Sequence, residues 1–444
     1  MKMSEIVSDD AKPRQLGEVT FRRVRREFRP CRTGRRATNV RTMSRTRALP
    51  VVSIAALGLA IGACSSSSKP PSSITTSSIT TSTAASTTTP AVPAAHWAPL
   101  PAAPIAGRIA AGAVWTGREM VVWGGVARGS GTPSAASDGA AYNPTTRQWR
   151  AIASPPSGVL GDAGNAAVWT GARAVFWAGN SSDGPAVGAT YDPASDTWQR
   201  LPKGPLGARE GYASAWTGHE LLLLGGTSGD QFARPVAAAV NPSTGAWRQL
   251  HAFDALAGLR LGRAVVVGGR VYASGTVSDC AQLGSACRHE HAIFLEYDPS
   301  ADAVHQLDLS HAPSLPIATV GSTASDVVFD ATSRGAERIV RYDVPNGTWT
   351  KGPAVSCVPV TPFYSQSAWL EGADAYVVGC GATRLAVYRV STNRWTTIDA
   401  GASPLNSRAG SAIVWTGNQL IAWSGTVALP ENPTPADGSA IGLG

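Results

Sequence analysis

Short apolar segments separated by turn residues dominate the chain beyond residue 96, and residues 207–250 show the pattern most clearly. An apolar segment at 212–216 leads into Thr217-Gly218, where glycine gives the backbone freedom of a tight hairpin. The next run, 221–224, is continuously apolar, which is typical of a strand covered on both faces. Paired glycines end it, and the turn dipeptide Asn241-Pro242 separates two further apolar segments. The pattern predicts four short antiparallel strands.

The same unit recurs along the chain, for example at residues 108–152 and 162–201. A fixed period of about fifty residues with an internal strand rhythm is the signature of a propeller. One four-stranded sheet cannot bury both of its apolar faces, whereas stacked sheets can. The repeat therefore predicts an all-β protein built from stacked four-stranded antiparallel blades.

The repeated positions resemble the Kelch motif. In that motif paired glycines end a strand, Tyr-Asp or a similar pair follows, and a Trp comes about six residues later. The matching residues are Gly124-Gly125, Tyr142, Asn143 and Trp149; Tyr191, Asp192 and Trp198; Gly225-Gly226, Asn241 and Trp247; and Tyr342, Asp343 and Trp349. The resemblance covers roughly residues 96–444 and implies a Kelch-type propeller. Kelch propellers include enzymes and pure binding modules, so the resemblance leaves the activity open.

Counting the repeats predicts seven blades, with six or eight as alternatives because two units, near Val304 and Gly321, are degenerate. The segment around Trp97 has the character of a fourth strand but precedes any blade of its own. The tail that begins at Asp437-Gly438 repeats the third-strand sequence at Asp138-Gly139. We therefore expect the N-terminal strand to join the C-terminal blade and close the ring without a free edge.

Charge is distributed unevenly. Residues 1–48 hold 14 of the 38 Lys and Arg residues and 5 of the 30 Asp and Glu residues, so the net charge of +8 belongs to this leader. A basic stretch can indicate nucleic-acid binding. The remainder is close to neutral and a signal-like segment follows the leader, so we expect no nucleic-acid partner. Met43 is a plausible start, which would make residues 1–42 a mis-assigned extension.

Residues 43–63 have the features of a signal peptide: two arginines, an apolar run too short for a comfortable membrane span, and the ending Ile61-Gly62-Ala63-Cys64. This ending resembles the bacterial lipobox, which implies a lipid on Cys64; an uncleaved signal anchor is the alternative. Residues 64–95 are rich in Ser, Thr, Ala and Pro and predict a disordered tether. We expect an exported, monomeric domain at 96–444, held on the outer face of the cytoplasmic membrane by the lipid.

Several polar residues map to the entrance of the first strands, the usual binding face of Kelch proteins. Arg108, Arg209 and Arg408 each stand seven residues before a Trp. Together they predict a clamp for a carboxylate, a phosphate or an acidic side chain. The alternative is that each arginine hydrogen-bonds carbonyls of a neighbouring blade. The same zone holds further candidate ligand-binding residues: Asp162, Asn165, Glu210, Tyr212, Tyr364 and Gln366.

Four further cysteines map to this face, and an even number outside the cytoplasm predicts two disulfides. We favour Cys280–Cys287 and Cys357–Cys380 among the three possible pairings. A metal site is the alternative, because His289 and His291 follow Cys287 closely and would share one strand face. The spacing matches no strong zinc pattern, and oxidation would consume the thiols.

Catalytic signatures are mostly absent from the chain, which lacks GxSxG, HExxH, Walker and Rossmann patterns. None of the seven histidines falls at a channel position, which disfavours a copper radical oxidase, and no cofactor is expected. The repeated Trp and Tyr residues have fixed positions, which predicts packing between blades rather than sugar stacking. The hypothesis is therefore a binding or scaffolding module for protein or carbohydrate ligands at the cell envelope. An enzyme acting on envelope carbohydrate or peptide at the channel mouth is the alternative.

Overall fold

The computed structural model describes residues 95–127, 134–159, 161, 166–178, 186–227, 236–256, 258–278, 290–313, 317–331, 336–356, 367–402, 404–427 and 434–443. All of them belong to the second of two units into which the chain divides, residues 85–444. No helix within these ranges has the length and apolar character needed to cross a membrane. The predicted leader, signal peptide and tether lie outside the described residues, so their boundaries stay predictions.

The secondary structure is almost entirely β. In chain order the first strands are β1 (Ala98–Pro99), β2 (Arg108–Ile109), β3 (Gly112–Trp115), β4 (Met120–Trp123), β5 (Val126–Ala127), β6 (Ser134–Ala135), β7 (Gly139–Asn143), β8 (Gln148–Ala151), β9 (Ala166–Trp169), β10 (Ala174–Ala178), β11 (Val187–Asp192) and β12 (Thr197–Arg200). There follow β13 (Glu210–Trp216), β14 (Leu221–Thr227), β15 (Ala237–Val240), β16 (Trp247–Gln249), β17 (Arg260–Val267), β18 (Arg270–Ser278), β19 (Glu290–Asp298), β20 (Ala303–Gln306), β21 (Ala318–Ser322), β22 (Asp326–Asp330), β23 (Ala336–Asp343) and β24 (Thr348–Ser356). The last are β25 (Ser367–Leu370), β26 (Ala375–Cys380), β27 (Arg384–Arg389), β28 (Arg394–Asp399), β29 (Arg408–Ala409), β30 (Ala412–Trp415), β31 (Gln419–Trp423), β32 (Thr426–Val427) and β33 (Gly438–Gly442). A 3-10 turn, His251–Phe253, and the four-residue α1, Pro404–Ser407, are the helical segments of the described ranges.

The strands form four-stranded antiparallel sheets, which we number along the chain. Sheet 1 holds β3, β4, β7 and β8; sheets 2 to 6 take β9–β12, β13–β16, β17–β20, β21–β24 and β25–β28 in turn; sheet 7 holds β30, β31, β33 and β1. Short strands at the start of the first and last repeats form two small accessory sheets, β2-β5-β6 and β29-β32. The all-β architecture predicted from the repeat is confirmed, and it is consistent with a β-propeller-like fold.

Burial within one sheet follows strand position. The inner strand β3 alternates buried and half-buried residues, the second strand β4 is buried throughout, and the outer strand β8 is half-buried to exposed. Successive side chains of a strand point to opposite faces. Met120 and Val122 therefore pack towards sheet 7, whereas Val121 and Trp123 pack towards sheet 2. This explains why the second strand of each repeat reads as continuously apolar.

The hydrophobic core is divided among the interfaces between sheets. Seven buried clusters occur within the described residues, and six of them combine side chains from two consecutive sheets. The seventh joins the first sheet to the last, through Met120 and Val122 on one side and Ile421 and Trp423 on the other. The inner strands likewise contact one another in order, including β3 with β30.

Sheet 7 is assembled from both ends of the described region. Ala98 of β1 pairs with Ala440 of β33, and β33 pairs along its length with β31. The main chain of Arg108 adds to this junction, because its N–H donates to the hydroxyl of Ser424 at 2.6 Å and its carbonyl accepts from Gly425. The strand pairing predicted from the Asp-Gly repeat and the Trp97 segment is therefore present.

Tryptophans of the fourth strands bind the neighbouring sheet. The indole N–H of Trp198 donates to the carbonyl of Ala153, 2.7 Å away, just beyond the fourth strand of sheet 1. The same bond recurs in three other sheets: Trp149 to Pro101, Trp247 to Pro202 and Trp395 to Pro353. Each acceptor lies in or just after the fourth strand of the preceding sheet. These tryptophans pack between blades, as the sequence predicts.

A polar network reinforces the same interfaces. The Tyr191 hydroxyl donates to the Asp196 carboxylate at 2.6 Å, and this carboxylate also accepts the N–H of Ala153. The Arg150 guanidinium donates both to the Tyr191 hydroxyl and to the Glu119 carboxylate. Desolvation opposes ionisation of Asp196, but the bonds from Ala153 and Tyr191 prevail and lower its pKa. An equivalent network between sheets 3 and 4 contains Glu220, Arg248, Tyr297 and Asp302.

We predict that Trp198→Phe lowers the free energy of unfolding by about 1–3 kcal/mol, because the Ala153 carbonyl loses its partner at a desolvated interface. The matched control is Trp169→Phe, which trims the same ring at a position where the indole N–H has no described acceptor. The Trp169→Phe change should lower the free energy of unfolding by a clearly smaller amount. Urea unfolding of the purified proteins measures the difference. Equal losses would show that the hydrogen bond does not stabilise the interface.

Candidate functional site

The inner strands of all the four-stranded sheets line one cavity of about 1050 Å³. Its walls at the level of the strand centres are small residues, such as Ala113, Ala167 and Ser214. Because these positions carry little side chain, the space between the inner strands stays open. A concave site of about this size is the usual form of a ligand-binding pocket.

One end of the cavity is aromatic. Five tryptophans, which we call the channel tryptophans, line it at the ends of the inner strands: Trp115, Trp169, Trp216, Trp369 and Trp415. Four of them pair with the first buried residue of the second strand, as Trp115 does with Met120, and Trp369 pairs with the second, Tyr376. Val266 and Ser322 pair with the first buried residue of the second strand in sheets 4 and 5 and also line the cavity.

The channel tryptophans differ from four of the fourth-strand tryptophans in their hydrogen bonding. The indoles of Trp149, Trp198, Trp247 and Trp395 donate to a neighbouring carbonyl, whereas that of Trp97 is buried without a partner. Within the described residues no acceptor is found for the indole N–H of a channel tryptophan, and that of Trp415 is buried without a partner. All five are half-buried. They therefore present flat aromatic surface to the cavity, a feature typical of binding surfaces. All five also pack against the buried clusters between sheets, as the sequence predicts for every repeated Trp.

Arg263 is the one arginine among the cavity-lining residues. A register irregularity in β17 between Leu261 and Ala264 interrupts the strand alternation there. Its side chain is exposed to solvent in the cavity, and desolvation by the nearby protein lowers its pKa. The charge of Glu371, also on the cavity wall, opposes that shift. Among the described residues Arg263 forms neither an ion pair nor a hydrogen bond.

The three arginines predicted to form a clamp are held by their own sheets. The Arg209 guanidinium donates to the carbonyls of Gly225 and Val236, both at 3.0 Å, and burial lowers its pKa to about 10. Arg108 bonds the carbonyls of Gly124 and Asp138 and pairs with the Asp138 carboxylate at 2.7 Å.

Arg408 repeats this arrangement with the carbonyl of Ser424 and with Asp437, whose carboxylate lies 2.7 Å away. Arg108 and Arg209 are buried, and none of the three is a residue of the cavity wall described above. The carbonyls that these arginines bond belong to their own repeats and not, as the alternative predicted, to a neighbouring blade. The clamp itself stays a prediction.

The other predicted residues of this zone have mixed outcomes. Tyr212 lines the cavity, and its hydroxyl accepts the N–H of Ala166 at 2.9 Å, which joins the inner strands of sheets 2 and 3. Burial raises the pKa of Tyr212. Glu210 is exposed at the start of β13. The remaining candidates lie outside the described residues: Asp162, Asn165, Tyr364 and Gln366.

The structure describes one of the four cysteines that are predicted to form disulfide bonds. Cys380 is buried at the end of β26 and is disulfide-bonded. Cys280, Cys287, Cys357 and His289 lie outside the described ranges, as does the lipid-acceptor candidate Cys64, so the pairing stays a prediction. No group of three or more potential metal ligands occurs among the described residues.

Sequence reasoning missed two features of the site: the ion pairs of Arg108 and Arg408 with aspartates, and the cavity position of Arg263. The ion pairs did have a signal, because the repeated Asp-Gly pairs at 138–139 and 437–438 lie 30 and 29 residues after Arg108 and Arg408. The cavity position of Arg263 has no comparable signal, because it coincides with an irregularity in a degenerate repeat.

Comparison with known proteins adds no assignment: no protein-family model matches the chain, and no curated protein matches it. The all-β architecture and the stacked four-stranded sheets are consistent with the β-propeller-like class. The Kelch relationship rests on the repeated residues alone.

We predict that Arg209→Met lowers the free energy of unfolding by about 1–3 kcal/mol, because two buried carbonyls lose a charged donor. Arg118→Met serves as the control, since Arg118 is exposed and its side chain has no described partner. That change should be within about 0.5 kcal/mol of wild type. Chemical unfolding compares the two. An Arg209→Met protein as stable as the control would contradict a structural role for the arginine.

Proposed function

We propose that the chain is a binding module that takes a glycan or protein ligand into the cavity lined by its inner strands. The observation that carries this proposal is the set of channel tryptophans, which line the cavity wall and whose indole N–H groups have no described acceptor, whereas the indoles of Trp149, Trp198, Trp247 and Trp395 donate to carbonyls. Natural cores rarely leave buried donors unpaired, and binding sites do so because the ligand supplies the acceptor.

We further propose that the domain is a closed, seven-bladed propeller of the Kelch type. Three observations support this: consecutive sheets share buried clusters, one cluster joins the first sheet to the last, and β1 completes the last sheet. Closure leaves no exposed sheet edge at the ends of the domain. A ring of this kind needs no second chain to cover its cores, which agrees with the expected monomer.

The proposal places this module outside the cytoplasm, on a lipid attached to Cys64. It is supported by the sequence of residues 43–64 and by the Ser-, Thr- and Pro-rich stretch that follows. The disulfide bond of Cys380 fits an oxidising compartment. We propose Cys357 as its partner, with Cys280 and Cys287 forming the second bond.

Cys64→Ala should move the protein from the membrane fraction to the soluble exported fraction, because the cysteine that carries the lipid is lost. The control is Cys380→Ala, which leaves the lipid site intact and should stay with the membrane even if its stability falls. Fractionation of bacterial cells that express each full-length chain, followed by immunoblotting, measures this. A Cys64→Ala protein that remains in the membrane fraction would contradict lipid anchoring.

Binding in the cavity should change the fluorescence of the channel tryptophans, since they line the wall that the ligand contacts. We expect at least one member of a panel of envelope glycans and envelope peptides to produce this change in the purified protein. The double variant Trp169→Ala/Trp216→Ala should weaken that binding about tenfold or more, whereas Arg118→Ala should leave it unchanged.

Circular dichroism and thermal unfolding verify that both variants are folded. Equal binding by the folded double variant would contradict the cavity as the site. If chromatography shows that the protein converts the ligand to a product, the protein is an enzyme, as the alternative states, and not a binding module.

A further inference from the structure

We infer that the central cavity binds a saccharide unit that carries a carboxylate, with the sugar stacked on the channel tryptophans and the carboxylate at Arg263. This inference rests on the proposed binding function and specifies the chemical class of its ligand. It concerns the aromatic end of the cavity, not the entrance where Arg108, Arg209 and Arg408 lie.

The charge of Arg263 indicates an anion. Arg263 lies on the cavity wall and has neither an ion pair nor a hydrogen bond among the described residues, so its donors are available to an anion. Its planar donors match a carboxylate in a two-point contact. The arginines of the entrance are different, because Arg108 and Arg408 are already paired with Asp138 and Asp437. Arg263 is thus the cavity cation with donors to spare among the described residues.

Glu371 restricts the charge that the anion can carry. It lies on the same cavity wall and interacts electrostatically with Arg263, without forming an ion pair with it. A second negative charge close to Glu371 is repelled by it. A singly charged carboxylate gains the contact with Arg263 at a smaller repulsive cost than a doubly charged phosphate.

The rest of the wall indicates a sugar. Flat indole faces pack against the apolar C–H face of a sugar ring, and indole N–H groups donate to its hydroxyls. The hydroxyl side chains of Ser214 and Ser322 also line the cavity and can exchange hydrogen bonds with further sugar hydroxyls. An aliphatic acid would leave these donors and acceptors unpaired, which costs affinity.

The geometry of Trp369 gives the aromatic wall a fixed shape. A side-chain carbon placed at Gly321 would lie 2.0 Å from the Trp369 ring, so the indole of sheet 6 lies directly on the backbone of sheet 5. Sheet 5 has Ser322 instead of a tryptophan at the ring position. The Trp369 indole therefore covers the gap in the wall that the missing aromatic residue leaves.

The test is a titration of the purified full-length protein by calorimetry and tryptophan fluorescence. The probes are glucuronate and galacturonate with their short oligomers, the neutral sugars glucose and galactose with theirs, glucose 6-phosphate, and hexanoate. We expect the uronate probes to bind most tightly. Arg263→Gln should weaken their binding about tenfold or more, the loss of one charged hydrogen-bonded contact, and should leave binding of the neutral sugars unchanged.

Two further variants separate this role from a structural one. Glu371→Gln removes the neighbouring negative charge and should strengthen uronate binding severalfold. Arg118→Gln, at an exposed position away from the cavity, should change nothing. If the Arg263→Gln protein unfolds at a lower temperature, the Glu371→Gln result still tests the electrostatic assignment, because it predicts a gain and not a loss.

Three results would overturn the inference. These are hexanoate binding as tightly as the uronates, glucose 6-phosphate binding more tightly than they do, and Arg263→Gln leaving uronate binding intact. If neutral glycans or peptides bind through the channel tryptophans and the uronates show no advantage, the inference fails and the binding function stands. If no probe and no envelope ligand perturbs the channel tryptophans, both fail.

Discussion

A four-stranded sheet that is apolar on both faces is unstable alone, and this constraint determines the rest of the structure. Each second strand sends alternate side chains to opposite interfaces, as Val121 and Val122 do, so every sheet must have a neighbour on each side. The hydrophobic stabilisation is therefore divided among interfaces of similar design. Repeat proteins generally depend on such nearest-neighbour contacts.

Polar contacts orient these interfaces and do not replace the burial of apolar surface. The indoles of four fourth-strand tryptophans, Asp196 and the glycines Gly226 and Gly425 all bind backbone groups of an adjacent sheet. Gly226 shows why glycine is needed: its φ of 82° suits a residue without a Cβ, and its N–H reaches the carbonyl of Leu259 at the entry to the next sheet. One short motif thus serves both strand termination and contact between sheets.

The sequence predicted the architecture well because the architecture is repeated. Strand order, the degenerate hairpins of sheets 4 and 5, and the pairing of the N-terminal strand with the Asp437-Gly438 tail all follow from aligning the units. The site is less predictable, because it depends on departures from the repeat. Arg263 lies at a strand irregularity. Whether Trp115 lines the cavity depends on which ends of the inner strands surround the open space, and the repeat does not specify this. The roles of Arg108 and Arg408 required their aspartate partners to be recognised.

The central claim is that sheets stack in sequence and that the last one is completed by β1. It is tested most directly by cross-linking Ala98 to Ala440, which face each other in the register of sheet 7. The variant Ala98→Cys/Ala440→Cys should form a disulfide on mild oxidation, detected by mass spectrometry of the linked peptides, since opposed side chains of adjacent strands lie within bonding reach. Ala98→Cys/Ser439→Cys should not, because successive side chains of β33 project from opposite faces. A link in the second pair, or none in the first, would contradict the account.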